Sequence, residues 1–220
     1  MIEIILTQDG SHTLKNNNLN ETYHSIHGAV QESLHVFIRQ GFEFVLGKSP
    51  QNISILEVGF GTGLNAWLTV NHSLNATTPV NYVTLESFPL EEEIWSKLNY
   101  AVDDFGKEMF HKLHLTEWNQ AVSLRPNFVF HKMHATLQDA SLQAASFDLV
   151  YFDAFAPEKQ PEMWKLPVLE KVASSMRQGA VWVTYCAKGQ VKRDLKSLGL
   201  MVEALPGPPG KREMIRAQKT

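Results

Sequence analysis

The segment Glu57–Gly63 reads Glu-Val-Gly-Phe-Gly-Thr-Gly and places three glycines at every second position. It lies between an apolar run, Ile53 to Val58, which predicts a strand, and Leu64-Asn65, where helical spacing begins. Glycines in such a turn allow a ligand to approach the backbone closely. A tight turn without a ligand is the alternative interpretation. If the loop binds a ligand, we expect contacts from Glu57, Gly59, Phe60, Gly61, Thr62, Gly63 and Asn65.

The acid that opens this loop indicates the kind of ligand. Glu57 stands two residues before Gly59, and the glycine spacing is tighter than in the pyrophosphate-binding fingerprint. A carboxylate repels a phosphate and attracts a cation. S-adenosylmethionine carries a sulfonium and an ammonium, so the loop favours this cofactor over a dinucleotide.

A second acid follows the next predicted strand, Val80 to Leu85. The carboxyl ends of neighbouring parallel strands meet at one edge of a sheet, where Glu86 could accept both hydroxyl protons of a ribose. The alternative is an acid that stabilises the start of a helix at Leu90. We predict that Glu86 contacts the cofactor.

A third acid follows the predicted strand Phe147 to Phe152 at the same edge of the sheet. Asp153 could hydrogen-bond an incoming amine, orient its lone pair and accept its proton. Phe155 and Pro157 could form a flat apolar wall against a planar base. We therefore predict Asp153 and Phe155 as catalytic residues and Phe155 and Pro157 as substrate contacts. The alternative is a strand-end turn in which Asp153 caps a helix.

From residue 52 onward, short apolar runs alternate with helical stretches, which is typical of a largely parallel sheet with helices on both faces. The predicted strands are Ile53 to Val58, Val80 to Leu85, Asn127 to His131, Phe147 to Phe152, Ala180 to Cys186, Met201 to Leu205 and Glu213 to Ala217. The predicted helices are Leu64 to Ser73, Leu90 to Ala101, Met163 to Met176 and Gly189 to Leu198.

The pattern before residue 52 is different. Ile2 to Thr7 is followed by the turn signal Asp9-Gly10-Ser11 and then by His12-Thr13-Leu14, which predicts a small hairpin. Helical spacing from Ala29 to Leu46 predicts a helix. We therefore predict an N-terminal extension over residues 1–50, whose hairpin and helix pack on the core, and a core domain over residues 51–220.

Composition limits the possible function classes. The 220 residues are 44% hydrophobic, which is enough for one substantial core. Neither a signal region nor an apolar run of spanning length is present, so we expect a cytoplasmic protein without membrane contact. The single cysteine, Cys186, lies in an apolar run, which indicates a buried side chain. The closely spaced histidines, His111 with His114 and His131 with His134, lack a third ligand at matching spacing, so we predict no metal.

Charge is distributed unevenly along the chain. The formal net charge is −3, but residues 188–220 contain eight Lys or Arg and three acidic residues, a net of +5 that leaves −8 for the rest. An acidic chain does not coat nucleic acid by bulk electrostatics. The basic segment fits either a solvated helix face or a phosphate-contacting surface. Lys188, Lys211 and Arg212 are the candidate substrate contacts.

Four motifs together resemble the methyltransferase domain of the MnmC-type transfer RNA wobble-uridine modification family, in its stand-alone, MnmD-like form. They are Glu57 to Asn65, Glu86 to Leu90, Asp153 to Trp164, and Gly207 to Ile215. The third motif discriminates most, because an Asp-x-Phe-Ala-Pro run that continues to Pro-x-Met-Trp is close to a signature of this group. The stretch from Tyr23 to Phe37 also resembles the family's N-terminal helix.

The resemblance implies an α/β, Rossmann-like fold of the class I S-adenosylmethionine-dependent methyltransferases, with a seven-stranded, mostly parallel sheet. It implies methylation of the aminomethyl group of 5-aminomethyl-2-thiouridine at the wobble position of transfer RNA, giving 5-methylaminomethyl-2-thiouridine. Separate enzymes would supply the aminomethyl precursor. Bifunctional relatives carry a flavin oxidase domain after the methyltransferase, whereas this chain ends at Thr220, so we expect no oxidase activity.

One departure from the family concerns the adenine of the cofactor. The family usually has an acid after the third strand, where this sequence offers Ala135 or Thr136, with Asp139 three residues further on. We predict Thr136 as a cofactor contact.

Two other functions are compatible with the same residues. The chain could be a methyltransferase of this fold that acts on a small amine or a protein, because the cofactor half of a site says nothing about the acceptor. It could also be a non-catalytic module that binds a nucleotide or transfer RNA.

Overall fold

A three-stranded antiparallel sheet opens the computed structural model, which describes residues 2–220. Its strands are β1 (Ile2–Leu6), β2 (His12–Asn16) and β3 (Glu21–Thr22). The β1–β2 turn is held by Asp9, whose Oδ1 accepts a hydrogen bond from the Ser11 amide at 3.0 Å. The predicted N-terminal hairpin is thus confirmed, and β3 extends it.

The core is a second sheet of eight strands, one more than predicted. They are β4 (Ile53–Val58), β5 (Val80–Glu86), β6 (Ala121–Arg125), β7 (Phe128–His134), β8 (Phe147–Phe152), β9 (Met176–Thr184), β10 (Leu200–Pro206) and β11 (Glu213–Lys219). Their order across the sheet is β10-β11-β9-β8-β4-β5-β7-β6. Six strands run parallel, while β11 and β6 are antiparallel to their neighbours. The α/β fold with a mostly parallel sheet is confirmed.

Helices cover both faces of this sheet. α1 (Ala29–Ser33), a π-helical stretch (Leu34–Glu43) and α2 (Phe44–Leu46) form one continuous helical segment over the range predicted. The other helices are α3 (Leu64–His72), α4 (Glu92–Trp95), α5 (Asp104–Leu115), a 3₁₀ turn (Pro161–Trp164), α6 (Leu166–Ser175) and α7 (Gly189–Ser197).

The two faces have separate hydrophobic cores because side chains alternate along each strand. Tyr151 and Val183 face the core that also contains Phe37, whereas Val150 and Phe152 face the core beneath α6. Every residue of β4 is buried, as expected for a central parallel strand covered on both faces.

Several other elements differ from the sequence-based expectation, and the predicted helix Met163 to Met176 is divided between the 3₁₀ turn and α6. The range Leu90 to Ala101 is helical only over α4, and the longer helix α5 was not predicted. Asp103 caps α5 by accepting a hydrogen bond from the Gly106 amide at 2.6 Å. Strand β9 also begins and ends earlier than predicted, so Tyr185 and Cys186 follow the strand. Cys186 is buried, as expected.

No helix within residues 2–220 combines the length and the hydropathy that a membrane crossing requires.

Candidate active site

A cavity of about 1370 Å³ lies at the carboxyl edge of the main sheet. After the central strand β4 the chain forms β5, β6 and β7 on one side of it. The next strand, β8, lies on the other side of β4. This reversal of strand order leaves a crevice between the two loops, which is where ligands bind in open α/β sheets. The cavity is lined by the loop after β4, the ends of β5, β8 and β9, and the N-terminal sheet.

The glycine loop after β4 is fixed by hydrogen bonds to the adjacent strand. The amides of Gly59 and Phe60 donate to the carbonyl of Leu85 at 3.0 and 3.1 Å, and the amide of Gly61 donates to Glu86 Oε2 at 2.8 Å. Gly59 has a φ of 93°, and a Cβ there would lie 2.8 Å from the carbonyl oxygen of Asp153. The loop can lie this close to the end of β8 only because position 59 is glycine.

The carboxylate of Glu86 is oriented by two backbone donors. Besides the Gly61 amide, Phe88 donates its amide to Oε1 at 2.9 Å. Each oxygen keeps a second lone pair. Glu86 can therefore still accept hydroxyl protons from a ligand in the cavity.

Asp153 follows β8 and faces the first turn of α3. Its Oδ2 accepts a hydrogen bond from Asn65 Nδ2 at 2.8 Å, and its amide donates to the carbonyl of Val58 at 3.0 Å. Burial raises the pKa of Asp153 to about 7, with a further increase from the charge of Glu32, while the hydrogen bond from Asn65 and the charge of Lys211 act in the opposite direction. Asp153 is thus poised to exchange a proton near neutral pH.

Glu57 is completely buried beneath the glycine loop. Neither of its carboxylate oxygens has a hydrogen-bond partner within residues 2–220. Burial raises the pKa of Glu57 to about 8 and the nearby negative charge of Asp153 adds to the increase, while the neighbouring polar side chains of Thr84, Tyr82 and Asn65 act in the opposite direction. An unpaired buried carboxylate of this kind is stabilised by a cation brought close to it.

The model of a family described as S-adenosyl-L-methionine-dependent methyltransferase matches residues 92–220, more than half of the chain. The protein belongs to this family. Its cofactor is S-adenosylmethionine, and its fold is that of the class I methyltransferases, as expected from the sequence.

Relatives that share one name are similar to most of this chain. The chain is 29% identical over 212 residues to the tRNA 5-methylaminomethyl-2-thiouridine biosynthesis bifunctional protein MnmC of Campylobacter hominis, covering 93% of this chain and 31% of that protein. It is 30% identical over 226 residues to the protein of the same name from Leptospira interrogans, covering 96% and 34%. The chain therefore spans about a third of the length of these relatives.

A solved structure extends the likeness to nearly the whole methyltransferase. The crystal structure of MNMC2 from Aquifex aeolicus aligns with a TM-score of 0.79 at 27% identity, covering 99% of this chain and 70% of that one. The glycine loop and the N-terminal sheet, which lie outside the family match, fall within this structural match. The MnmC-type resemblance is thereby confirmed.

The residues of the methyltransferase cavity fit S-adenosylmethionine. The glycine loop offers backbone without side chains, Glu86 offers acceptors for a ribose, and Glu57 and Asp153 offer carboxyl groups whose ionised forms a bound cation would favour. The amide oxygen of Asn65 is also buried without a hydrogen-bond partner in residues 2–220. These groups would hold the cofactor, which supplies an electrophilic methyl group when bound.

Most predicted site residues of the methyltransferase meet at the cavity, although their roles stay predictions. The residues that line it are Gly59, Phe60, Gly61, Thr62, Asn65, Glu86, Thr136, Asp153, Phe155 and Lys211. Glu57, Gly63, Pro157, Lys188 and Arg212 do not line it. Glu57 lies behind the loop, and Lys188 forms an ion pair with Glu158.

Thr136 lines the cavity, whereas Asp139 does not. Thr136 Oγ1 donates to Asp139 Oδ2 at 2.7 Å and accepts from the Asp139 amide at 3.1 Å. Asp139 is therefore engaged in a local turn, and the adenine contact remains assigned to Thr136 as a prediction.

Hydrogen bonds within the Asp153-to-Trp164 motif explain why its residues occur together. The indole Nε1 of Trp164 donates to the carbonyl of Phe155 at 2.7 Å, and Gln160 Oε1 accepts from the Phe155 amide at 3.2 Å. The motif therefore folds back on itself and fixes Phe155 at the cavity wall. Phe155 also contacts Tyr23 edge-to-face, with ring centroids 5.0 Å apart.

Among the lining residues that sequence reasoning missed are Tyr23, Glu32 and Tyr185. The first two belong to the N-terminal extension, which contributes one wall of the methyltransferase cavity. Their only sequence signal was the resemblance of the stretch from Tyr23 to Phe37 to the family's N-terminal helix. Tyr185 was assigned to a strand that in fact ends at Thr184.

One of the closely spaced histidines, His114, supports the glycine loop. The His114 ring stacks on Trp95 with centroids 4.5 Å apart, and its Nε2 lies 3.2 Å from the carbonyl oxygen of Thr62. Burial lowers the pKa of His114 to about 3, so the neutral ring donates this hydrogen bond. Within residues 2–220, no group of three His, Cys, Asp or Glu side chains could hold a metal.

We expect the cofactor-free methyltransferase to lose thermal stability as pH rises from about 5 to 8. The folded state keeps a proton on Glu57 up to about pH 8, whereas the unfolded chain releases this proton near the ordinary pKa of 4.5. Between these two pH values the free energy of the unfolded state falls relative to that of the folded state. Asp153 contributes with the same sign up to about pH 7. Glu57→Gln should reduce the fall in Tm by several degrees, since 1 kcal/mol corresponds to about 2–4 °C in a domain of this size.

Differential scanning calorimetry across this pH range tests the expectation. Glu170→Gln, which removes an exposed carboxylate on α6, serves as the control and should follow the wild type. An equal decline in wild type and Glu57→Gln would contradict the assignment.

Proposed function

We propose that this methyltransferase methylates the aminomethyl nitrogen of 5-aminomethyl-2-thiouridine at the wobble position of transfer RNA. The observation that carries the proposal is the pairing of Asp153 with Phe155 in the cavity that the glycine loop also lines. Asp153 can bind an amine, and Phe155, held by Trp164, gives a base a flat apolar surface. Relatives named for biosynthesis of 5-methylaminomethyl-2-thiouridine, the product of this methylation, support the choice.

Asp153 prepares the amine for transfer. An amine attacks only as its neutral form, and a carboxylate that accepts its N–H orients the nitrogen lone pair. The bound cofactor would supply the methyl group to the nitrogen and keep on sulfur the electron pair of the broken sulfur–carbon bond, and Asp153 would accept the proton lost from nitrogen. The products are 5-methylaminomethyl-2-thiouridine and S-adenosylhomocysteine.

The N-terminal residues 1–50 and the core residues 51–220 divide these tasks. The core supplies the glycine loop and the Asp153 turn, while the extension supplies Tyr23 and Glu32 to the acceptor end of the cavity. Lys159 joins the two parts, because its Nζ donates to the carbonyls of Leu19 and Asn20 at 3.0 and 3.1 Å.

The basic C-terminal segment has few cations available for phosphates. Lys188 pairs with Glu158, and Lys192 pairs with Glu213 at 2.6 Å. Arg193, Lys196 and Arg212 have no acidic partner within residues 2–220. We assign the phosphate contacts chiefly to these three cations, so shape contributes to binding as well as charge. The reaction belongs to the cytoplasm, where other enzymes would supply the aminomethyl precursor.

Deletion of the gene is expected to make 5-aminomethyl-2-thiouridine accumulate in transfer RNA at the expense of its methylated product. Mass spectrometry of nucleosides from deleted and complemented strains measures both. Transfer RNA from the deleted strain should then accept a methyl group from labelled S-adenosylmethionine when the purified protein is added. An unchanged nucleoside profile would refute the proposal, and methylation of free amines or peptides alone would favour another acceptor.

A further inference from the structure

Glu32 and Lys211 form an ion pair in the wall of the cavity. Glu32, on α1, is only 5% exposed, and its Oε1 accepts a hydrogen bond from Lys211 Nζ. Its Oε2 accepts from the Ser25 amide at 2.6 Å, so both oxygens are engaged. Lys211 lies in the loop between β10 and β11, and the pair thus joins two segments that are 179 residues apart.

Lys211 is also connected to the turn that carries Asp153, through the side chain of Tyr185. Its Nζ lies 3.9 Å from the centroid of the Tyr185 ring, a favourable cation–π contact. The Tyr185 hydroxyl donates to the carbonyl of Ala154 at 2.8 Å, and Ala154 directly follows Asp153. A continuous set of contacts therefore runs from Glu32 through Lys211 and Tyr185 to the Asp153 turn.

The loop that presents Lys211 fits closely against the N-terminal extension. Gly210 has a φ of 83°, and a Cβ at this position would overlap the His27 imidazole. The backbone beside Lys211 is therefore held in place, which restricts where its side chain can reach.

The ion pair with Glu32 makes Lys211 unsuited to contact a phosphate of a nucleic acid. A phosphate bound to Lys211 would come close to the buried carboxylate of Glu32 and be repelled by it. Turning Lys211 away from Glu32 would leave that carboxylate buried and unpaired, which is strongly unfavourable. Arg212, the adjacent residue, is exposed and has no such partner within residues 2–220.

We propose that Glu32 and Lys211 are a positioning pair that fixes the Asp153–Phe155 turn against the N-terminal extension, and that Lys211 does not contact a transfer RNA phosphate. This inference rests on the proposed function, because it concerns the acceptor end of that site. It replaces the sequence-based assignment of Lys211 to the phosphate-contacting surface.

Measurements of turnover and of the salt dependence of binding distinguish a positioning role of Lys211 from a phosphate contact. The substrate is transfer RNA from the gene-deleted strain, and each variant is measured for kcat, KM and the slope of log Kd against log salt concentration. Lys211→Met should lower kcat by about 10²-fold, as small displacements of reacting groups do, with KM and the salt slope close to wild type. Lys211→Arg, which keeps the charge and the aromatic contact, should retain most of the turnover.

Arg212→Met is the matched comparison. As a phosphate contact it should raise Kd and reduce the magnitude of the salt slope by about 1. Lys107→Met, which removes an exposed cation on α5, should leave kcat, KM and the slope unchanged.

A reduced salt slope in Lys211→Met, with kcat retained, would overturn the proposal. If Lys211→Met does not fold, the test relies on Glu32→Gln and Lys211→Arg. A positioning pair requires a lower kcat in Glu32→Gln and a kcat close to wild type in Lys211→Arg. The slope of log Kd against log salt concentration should be unchanged in both variants. Absence of wild-type turnover on this transfer RNA would instead refute the proposed function.

Discussion

Asp153→Asn is expected to lower kcat by about 10²–10⁴-fold while the affinity for S-adenosylmethionine stays close to that of the wild type. Asparagine has the shape of aspartate and can still accept the hydrogen bond from Asn65 Nδ2, which is 2.8 Å long in the wild type. It cannot accept the proton that the amine must lose. The effect should therefore fall on turnover and leave the cofactor contacts intact.

The pH dependence of the reaction gives a second measure of the same residue. Burial raises the pKa of Asp153 to about 7, and only the ionised carboxylate can accept a proton. We expect the wild-type kcat to rise with pH through about 7 and this rise to be absent in Asp153→Asn. Asp104→Asn, an exposed change in the first turn of α5, is the control. Full turnover in Asp153→Asn would reassign the proton acceptor to another group.

Gly59→Ala is expected to weaken binding of S-adenosylmethionine by about 5- to 150-fold, the range that corresponds to 1–3 kcal/mol of backbone strain. Its φ of 93° disfavours any side chain, and the new Cβ would lie 2.8 Å from the Asp153 carbonyl oxygen. The loop must shift, and with it the amides that donate to Leu85.

Isothermal titration calorimetry with S-adenosylmethionine measures this loss. Gly199→Ala is the matched control, because Gly199 has a φ of 80° but nothing within 4 Å of an added Cβ. It should lower Tm through the same kind of strain and leave cofactor affinity unchanged. Wild-type affinity in Gly59→Ala would show that the loop does not hold the cofactor.

The cofactor half of the site could be predicted from sequence because each of its parts is local. The strand, the glycine loop and the following helix are contiguous in Glu57 to Asn65, and burial on both faces makes β4 an apolar run that is easy to recognise. The same reasoning located Glu86 and Asp153, since the carboxyl ends of parallel strands meet at one edge.

The elements that were missed lack such a local signal. Strand β6 lies at the sheet edge and buries only Leu124, so its sequence shows no apolar run. Helix α5 is the exception, because the Asp103 cap and the helical spacing of Met109, Phe110 and Leu113 are a local signal that was overlooked. The acceptor end depends on Tyr23, Glu32 and Tyr185, whose proximity arises from tertiary packing and cannot be read from spacing along the chain.

The ion pair between Glu32 and Lys211 has a consequence for how the protein is made. A ribosome adds Lys211 179 residues after Glu32, long after the strands that carry the glycine loop and Asp153 have been synthesised. Closing so long a segment carries an entropic cost that only the finished fold repays. The acceptor end of the cavity therefore cannot be complete before the loop between β10 and β11 has been synthesised.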